Sequence, residues 1–342
     1  MNPAKLKHRF TQQGFSLPEI MVGMVIGLLG VIIILQMTSV FESRKRTTSS
    51  GDDAQNGGAI AITSVERDVS QAGYGLSSPQ LIGRPLATPI FQINYLTPVV
   101  VNPPTLNAVG DPNSSKILVI YGNSNNTEGG WIMNPTATLP YQISFGAGTG
   151  VLGDGGKGFE VGDWVIPSQS GVTGTSTGNP HTMYKVIPSA ASNVVAVNGV
   201  PPALVYNLAA SPEIPLLFNL GSAPSLLAYA VINHSLSVCD YFKNDCSVAA
   251  NWTALAGDVY GFRAQCETAT VLRIALVTRS AQYDPNVVTT WTPTWNPNGV
   301  SATVVTNATA AWGNTWNHYR YKTFETMVPL RNSIWSGVQG CS

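Results

Sequence analysis

Gly14-Phe15-Ser16-Leu17-Pro18-Glu19, followed by IMVGMVIGLLGVIIIL (Ile20 to Leu35), is the stretch on which the architecture turns. One carboxylate, Glu19, stands at the mouth of an uninterrupted apolar run that Gln36 ends and Met37 to Phe41 partly resume. At about 1.5 Å of rise per residue, a helix from Phe15 to Phe41 is long enough to cross a hydrocarbon core of roughly 30 Å. Lys5, Lys7 and Arg9 form a short basic head before it. Gln36-Met37-Thr38-Ser39 offers no small-residue cleavage site after the run, so the apolar segment is expected to stay attached. Gly14-Phe15 lies between the basic head and the run, where a cut on the cytoplasmic face leaves the anchor on the mature chain. A carboxylate at the centre of a bilayer helix costs about 3 kcal/mol and less near the interface, so Glu19 calls for a partner. Pro18 suits the first turn of a helix, where its missing N–H has no intrahelical acceptor to lose. Gly23 and Gly27, with Gly30 nearby, form a G-x-x-x-G pair that would let another helix approach closely, although glycine is also common in membrane helices.

Helical patterning continues past Phe41. Ala54, Gly58, Ala61, Ile62, Val65, Val69 and Ala72 recur at three- and four-residue steps, which predicts an amphipathic second half of the same helix over 42–75. TTSSGDDAQNGG (Thr47 to Gly58) is a poor helix former, so a weakened stretch is expected near Ser50 to Gly58. Glu66, Arg67 and Asp68 are expected on the wet side, and Gly73 and Gly75 should stop the helix. Strand-like runs follow over 76–342: Lys116 to Tyr121, Trp164 to Ile166, and the alternation of Leu272, Ile274, Leu276 and Thr278 with Arg273, Ala275, Val277 and Arg279. No helical pattern recurs between them. That order predicts an α+β chain in which a long N-terminal helix packs on an antiparallel, β-rich globular domain, not a parallel α/β sheet. The loops SQSGVTGTSTGNP and WTPTWNPNGVSATVVTNATAAWGNTW are expected on the surface, the second with its tryptophans either as a binding surface or packed locally.

The 342 residues carry 18 Lys+Arg against 18 Asp+Glu, which removes a global electrostatic case for nucleic acid. Charged residues are 11% of the chain, far below the usual quarter or so, and solubility must come from Asn, Ser, Thr and Gly, as in secreted and surface proteins.

GFSLPEIMVGMVIGLLG resembles the prepilin signature of type IV pilins and type II secretion pseudopilins, in which G-F-S/T-L-x-E precedes an apolar helix. The resemblance implies a leader of residues 1–14, a cut by prepilin peptidase between Gly14 and Phe15, methylation of the Phe15 amine, and a membrane or fibre-core half over 15–41. It also implies that Glu19 neutralises the terminal amine of a neighbouring subunit as helices stack. ERDVSQAGYG (Glu66 to Gly75), VLRIALVTRS (Val271 to Ser280) and YRYKTFETMVPLRNS (Tyr319 to Ser333) are similar to segments of the PilW group of minor pilins. The function so implied is assembly or initiation of a type IV pilus near its tip. The partners implied are other major and minor pilins, prepilin peptidase, a PilY-type tip adhesin and the bacterial inner membrane, with the body in the periplasm and later on the cell surface. A J-like type II secretion pseudopilin and a pilus-displayed adhesin or binding module are the alternatives.

Catalytic patterns are expected to be empty. Gly174-Thr175-Ser176-Thr177-Gly178 matches G-x-S-x-G, but Asn179-Pro180 follows where a helix must start. Gly148 to Gly153 matches G-x-G-x-x-G, yet Asp154-Gly155-Gly156-Lys157-Gly158 cannot open a helix. Asp154, Glu160 and Asp163 lack calcium-loop spacing and read as solvated turn carboxylates. The four histidines, His8, His181, His234 and His318, are scattered, so neither zinc nor a cofactor is called for. Cys239, Cys246, Cys266 and Cys341 form an even set that suits disulfides on the oxidising side of a membrane. Three pairings are possible; Cys239 with Cys246 and Cys266 with Cys341 are favoured, the first closing CDYFKNDC as a turn and the second tying down the C-terminus.

Overall fold

The computed structural model describes residues 16–76, 78–79, 81–87, 92–93, 95–112, 114–124, 131–132, 134–135, 142–144, 158–169, 181–187, 194–197, 215–305 and 307–342. The chain divides into two compact units, one ending at Gly51 and the other beginning at Asp52. Helix α1 (Leu17–Gln71) supplies the described part of the first unit and the opening of the second.

In the second unit the predicted apolar face of α1 is the buried one. Ala54, Gly58, Ala61, Val65, Val69 and Ala72 are buried and Ile62 is half-buried. The weakening expected over Ser50 to Gly58 is absent, for α1 runs through it. Packing overrides propensity here: the hydroxyl of Thr278 donates to the Ala54 carbonyl at 2.8 Å, and a Cβ at Gly58 would fall on the Phe324 ring. Glycine at 58 lets the helix approach the sheet. Gly58→Val is therefore expected to destabilise the body by about 1–3 kcal/mol, read as a lower urea midpoint at unchanged slope. An unchanged midpoint would mean that the Phe324 ring has room to move.

The helix ends as the glycines predict. Gly73 and Gly75 adopt φ of 81° and 74°, and the Gly73 N–H donates to the Ile120 carbonyl at 2.8 Å, turning the chain onto the sheet. Asn332 Nδ2 donates to the carbonyls of Gln71 and Ala72, at 3.1 and 3.0 Å, and so satisfies acceptors that a helix C-terminus leaves open.

Two antiparallel sheets receive α1. The first holds β1 (Val99–Val101), β2 (Ile117–Tyr121), β3 (Ser225–Ile232), β4 (Ser235–Asp240) and β5 (Thr253–Ala256), in spatial order β5-β4-β3-β2-β1. The second holds β6 (Val259–Thr268), β7 (Val271–Arg279) and β8 (Tyr321–Pro329), with β7 in the middle. One core joins helix and sheets: Ala61, Val65, Val69 and Ala72 of α1 cluster with Tyr229, Val231, Phe262, Leu272, Ile274, Leu276 and Val328.

Strand β7 is covered on its other face too. Ala275 and Val277 are buried beneath Trp295, Val304, Val305, Ala308 and Trp312, which come from the chain between β7 and β8 and its short helix α2 (Ala308–Trp312). The Trp-rich segment is thus a third layer, not a free surface loop: Trp295 and Trp312 are buried, Trp316 is half-buried, and Trp291 is exposed. The indole N–H of Trp312 donates to the Tyr260 carbonyl at 2.8 Å, which fixes the layer to β6. A further antiparallel sheet carries Trp164–Gln169 and Pro215–Gly221, and a small mixed one pairs Leu86–Ala87 in parallel with His181–Thr182.

Candidate membrane and assembly segment

In the first unit the described helix presents its apolar side chains outward. Leu17, Met24 and Phe41 are 74%, 69% and 68% exposed, and Leu17–Glu42 is 26 residues of helix, long and apolar enough to cross a membrane. At 1.5 Å per residue that is roughly 39 Å. An apolar surface of this extent in water is unfavourable, so the segment requires lipid or other helices around it. Thr38 suits such surroundings because its hydroxyl donates to the Ile34 carbonyl at 2.9 Å and needs no outside acceptor.

Glu19 is exposed in the first turn of α1. Its Oε2 accepts from the Ser16 N–H at 3.4 Å, while its own N–H donates to the Ser16 carbonyl at 3.0 Å. Ser16-Leu17-Pro18-Glu19 therefore forms the carboxylate half of a capping box, the Glu19 N–H going to the Ser16 carbonyl and not to its hydroxyl, and the S-x-x-E spacing signals this local role of Glu19. The carboxylate faces the chain entry and favours the positive end of the helix dipole. A new amine at Phe15 would arise one residue before the N–H that Glu19 already accepts. Gly14, Phe15 and the leader lie outside the described residues. At Gly23, Gly27 and Gly30 an added Cβ would meet nothing within 4 Å, so no neighbour inside the chain requires their smallness.

Asp68 corrects the expected wet face. Glu66 and Arg67 are exposed, but Asp68 is buried, where it accepts hydrogen bonds from the Tyr229 hydroxyl on β3 and, at 3.4 Å, from the Tyr121 hydroxyl on β2. Arg67 Nε reaches the same carboxylate at 3.3 Å. Burial, reinforced by the hydrogen bond to Asp68, raises the Tyr229 pKa far above its ordinary value; burial likewise raises that of Tyr121. Asp163 corrects the solvated-turn reading in the same way. It is buried and accepts from the Glu160 N–H at 2.9 Å and from Asn219 Nδ2 at 2.8 Å, so it braces a turn. Asp154 and the two glycine-rich matches at 148–153 and 174–178 lie outside the described residues.

Near the Trp layer, Glu267 accepts from Arg273 and from the Asn298 N–H at 2.8 Å; that backbone donor, ahead of the arginine, holds its carboxyl below the usual range. Among the described residues no three His, Cys, Asp or Glu side chains gather as a metal site. Cys239 stands at disulfide distance from Cys246, and Cys266 from Cys341, with Cα atoms 5.8 Å apart in each pair.

The family model described as the prokaryotic N-terminal methylation motif matches residues 9–35. No curated protein and no solved structure matches the chain. The match and the exposed apolar helix together give the chain a prepilin-type N-terminal signal and a candidate membrane anchor ahead of a β-rich body.

Proposed function

We propose that the protein is a minor pilin of the PilW type that takes part in type IV pilus assembly or initiation near the tip. The observation that carries this reading is the outward-facing apolar helix Leu17–Glu42, headed by Glu19 and overlapped by the methylation motif at 9–35. Its mechanism is packing. The helix exchanges lipid for the helices of neighbouring subunits, Gly23 and Gly27 admit close approach, and Glu19 offsets the Phe15 amine of a neighbour. The β-rich body selects other minor pilins and a PilY-type tip adhesin. The same motif fits a J-like type II secretion pseudopilin, and recovery in sheared pili, as against dependence of protein secretion on the chain, separates the two.

Mass spectrometry of the N-terminus from membranes and sheared pili is the direct test. A methylated Phe15 is expected; an intact Met1, or a cut beyond Leu35, overturns the reading. The two roles of Glu19 separate by substitution. Gln keeps an acceptor for the Ser16 N–H but removes the charge, so Glu19→Gln should insert normally yet enter pili about a hundredfold less or lower, because breaking a buried ion pair costs roughly 3–5 kcal/mol. Equal pilus content for Glu19→Gln and the parent would leave capping as the whole role.

A further inference from the structure

We propose that Arg279, at the end of β7, is the centre of a carboxylate-binding site that takes an acidic sugar of the uronic acid type. Its guanidinium carbon lies 3.8 Å from the ring centroid of Tyr260 on β6 and 4.0 Å from that of Tyr319, just before β8. Rings standing over a guanidinium occupy its faces and leave its in-plane edge, where all five N–H donors lie. One donor of that edge is taken by the Tyr321 hydroxyl oxygen, and no acid takes the rest. The Nε is buried without an acceptor, and among the described residues no carboxylate comes within the 4.0 Å of an ion pair with Arg279.

The acids nearby are engaged elsewhere. Asp284 holds Arg320 at 3.0 Å, and Asp111 accepts the N–H groups of Asn233 and His234 at 2.8 and 2.9 Å. Asp258 meets Arg279 through its backbone, its carbonyl accepting the Arg279 N–H at 2.9 Å. The Arg279 side chain keeps partial exposure. A charge set between two rings and lacking a counter-ion is arranged for a planar, bidentate acceptor, and a carboxylate fits between flanking rings better than a tetrahedral phosphate.

The surroundings favour a sugar over an acidic peptide. Tyr283 is half exposed, meets Tyr319 edge-on at 5.7 Å and stacks on His318 at 5.0 Å, so an open ring face continues from the arginine. On the other side His234 stacks on Tyr260 at 4.0 Å. A pyranose carboxylate on Arg279 would bring the apolar C–H face of its rigid ring toward Tyr283, whereas the flexible side chain of a peptide carboxylate carries no such face beside its acid. The site stands on paired strands, Arg279 lying opposite Tyr321 in the β7–β8 register, so its geometry is set before any ligand arrives.

The test is calorimetric titration of the full chain in detergent micelles with trigalacturonate, its neutral methyl ester, and triglutamate. Trigalacturonate should bind, with the ester at least about tenfold weaker; Arg279→Gln and Arg279→Lys should each lose about tenfold or more, the lysine variant because it keeps the charge and loses the fork. Tyr283→Ala should weaken the sugar and leave triglutamate unchanged. Absence of trigalacturonate binding, unchanged affinity in Arg279→Gln, or triglutamate binding as tightly as the sugar with Tyr283→Ala indifferent to both, overturns the proposal. Should the arginine variants lose their near-ultraviolet dichroism, the acid-against-ester comparison and Tyr283→Ala still decide.

Discussion

Asp68→Ala is expected to lower the stability of the body by about 3–5 kcal/mol, the range for removing one partner of a buried charged network. The Tyr229 hydroxyl would lose its acceptor inside the core formed by α1, β3 and β7, and an orphaned buried hydroxyl alone costs roughly 1–3 kcal/mol. Asp68→Asn retains an acceptor and should cost less than the alanine. Tyr229→Phe removes the donor but leaves the carboxylate with Arg67 and Tyr121. The double variant Asp68→Ala/Tyr229→Phe should then be less destabilised than the sum of the single changes, and strict additivity in urea unfolding would show that the two side chains are not coupled. Alkaline pH reports on the same contact. Tyr229 has a folded pKa raised above its unfolded value near 10, so its contribution is fully present below about pH 10 and is lost as pH rises through the folded value. Stability should fall above about pH 10, and less steeply in Tyr229→Phe; parallel pH profiles for parent and variant would remove Tyr229 from the account.

Asp68 also marks what the sequence disclosed and what was misread in it. Val65, Asp68, Val69 and Ala72 share the three- and four-residue spacing that placed the apolar residues inward, so periodicity alone already puts the carboxylate on the core face. Its charge suggested water instead. What no local pattern reveals is the acceptor's partner, since Tyr229 is 161 residues away. The apolar run, the helix face from Ala54 to Ala72 and the stop at Gly73 were legible because each depends on residues close in sequence. The continuity of α1 across Gly57 and Gly58 was not, because it depends on Phe324 and Thr278. The Trp-rich segment reads as low-complexity loop, yet Trp295 and Trp312 supply the apolar cover that Ala275 and Val277 on the second face of β7 require. A strand whose alternate positions are apolar on both faces predicts a layer on each side. In the candidate segment, the run and Glu19 were plain from sequence, and the capping contact at Ser16 follows from the S-x-x-E spacing.

A bond between Cys266 and Cys341 is expected to contribute about 4 kcal/mol on the chain-entropy model, against about 2.5 kcal/mol for Cys239 with Cys246. The difference follows from loop length, since the pairs are 75 and 7 residues apart in sequence. The longer link also fastens the last residues where they extend the first sheet. The Val99 N–H donates to the Gly340 carbonyl at 2.8 Å, the Val101 N–H to Ser342 at 2.7 Å, and the Gly340 N–H to Ala269 at 2.7 Å. Those hydrogen bonds join β1 to the turn between β6 and β7, so the tail bridges the two sheets that hold α1. Cys266→Ser/Cys341→Ser should therefore unfold at a markedly lower urea concentration, whereas Cys239→Ser/Cys246→Ser should lose roughly half as much. Peptide mapping without reductant should recover 266 linked to 341 and 239 linked to 246. Any other linkage overturns the assignment. A fully oxidised protein whose urea midpoint is unmoved by reductant would show that the hydrogen-bonded tail, and not the covalent link, keeps the sheets together.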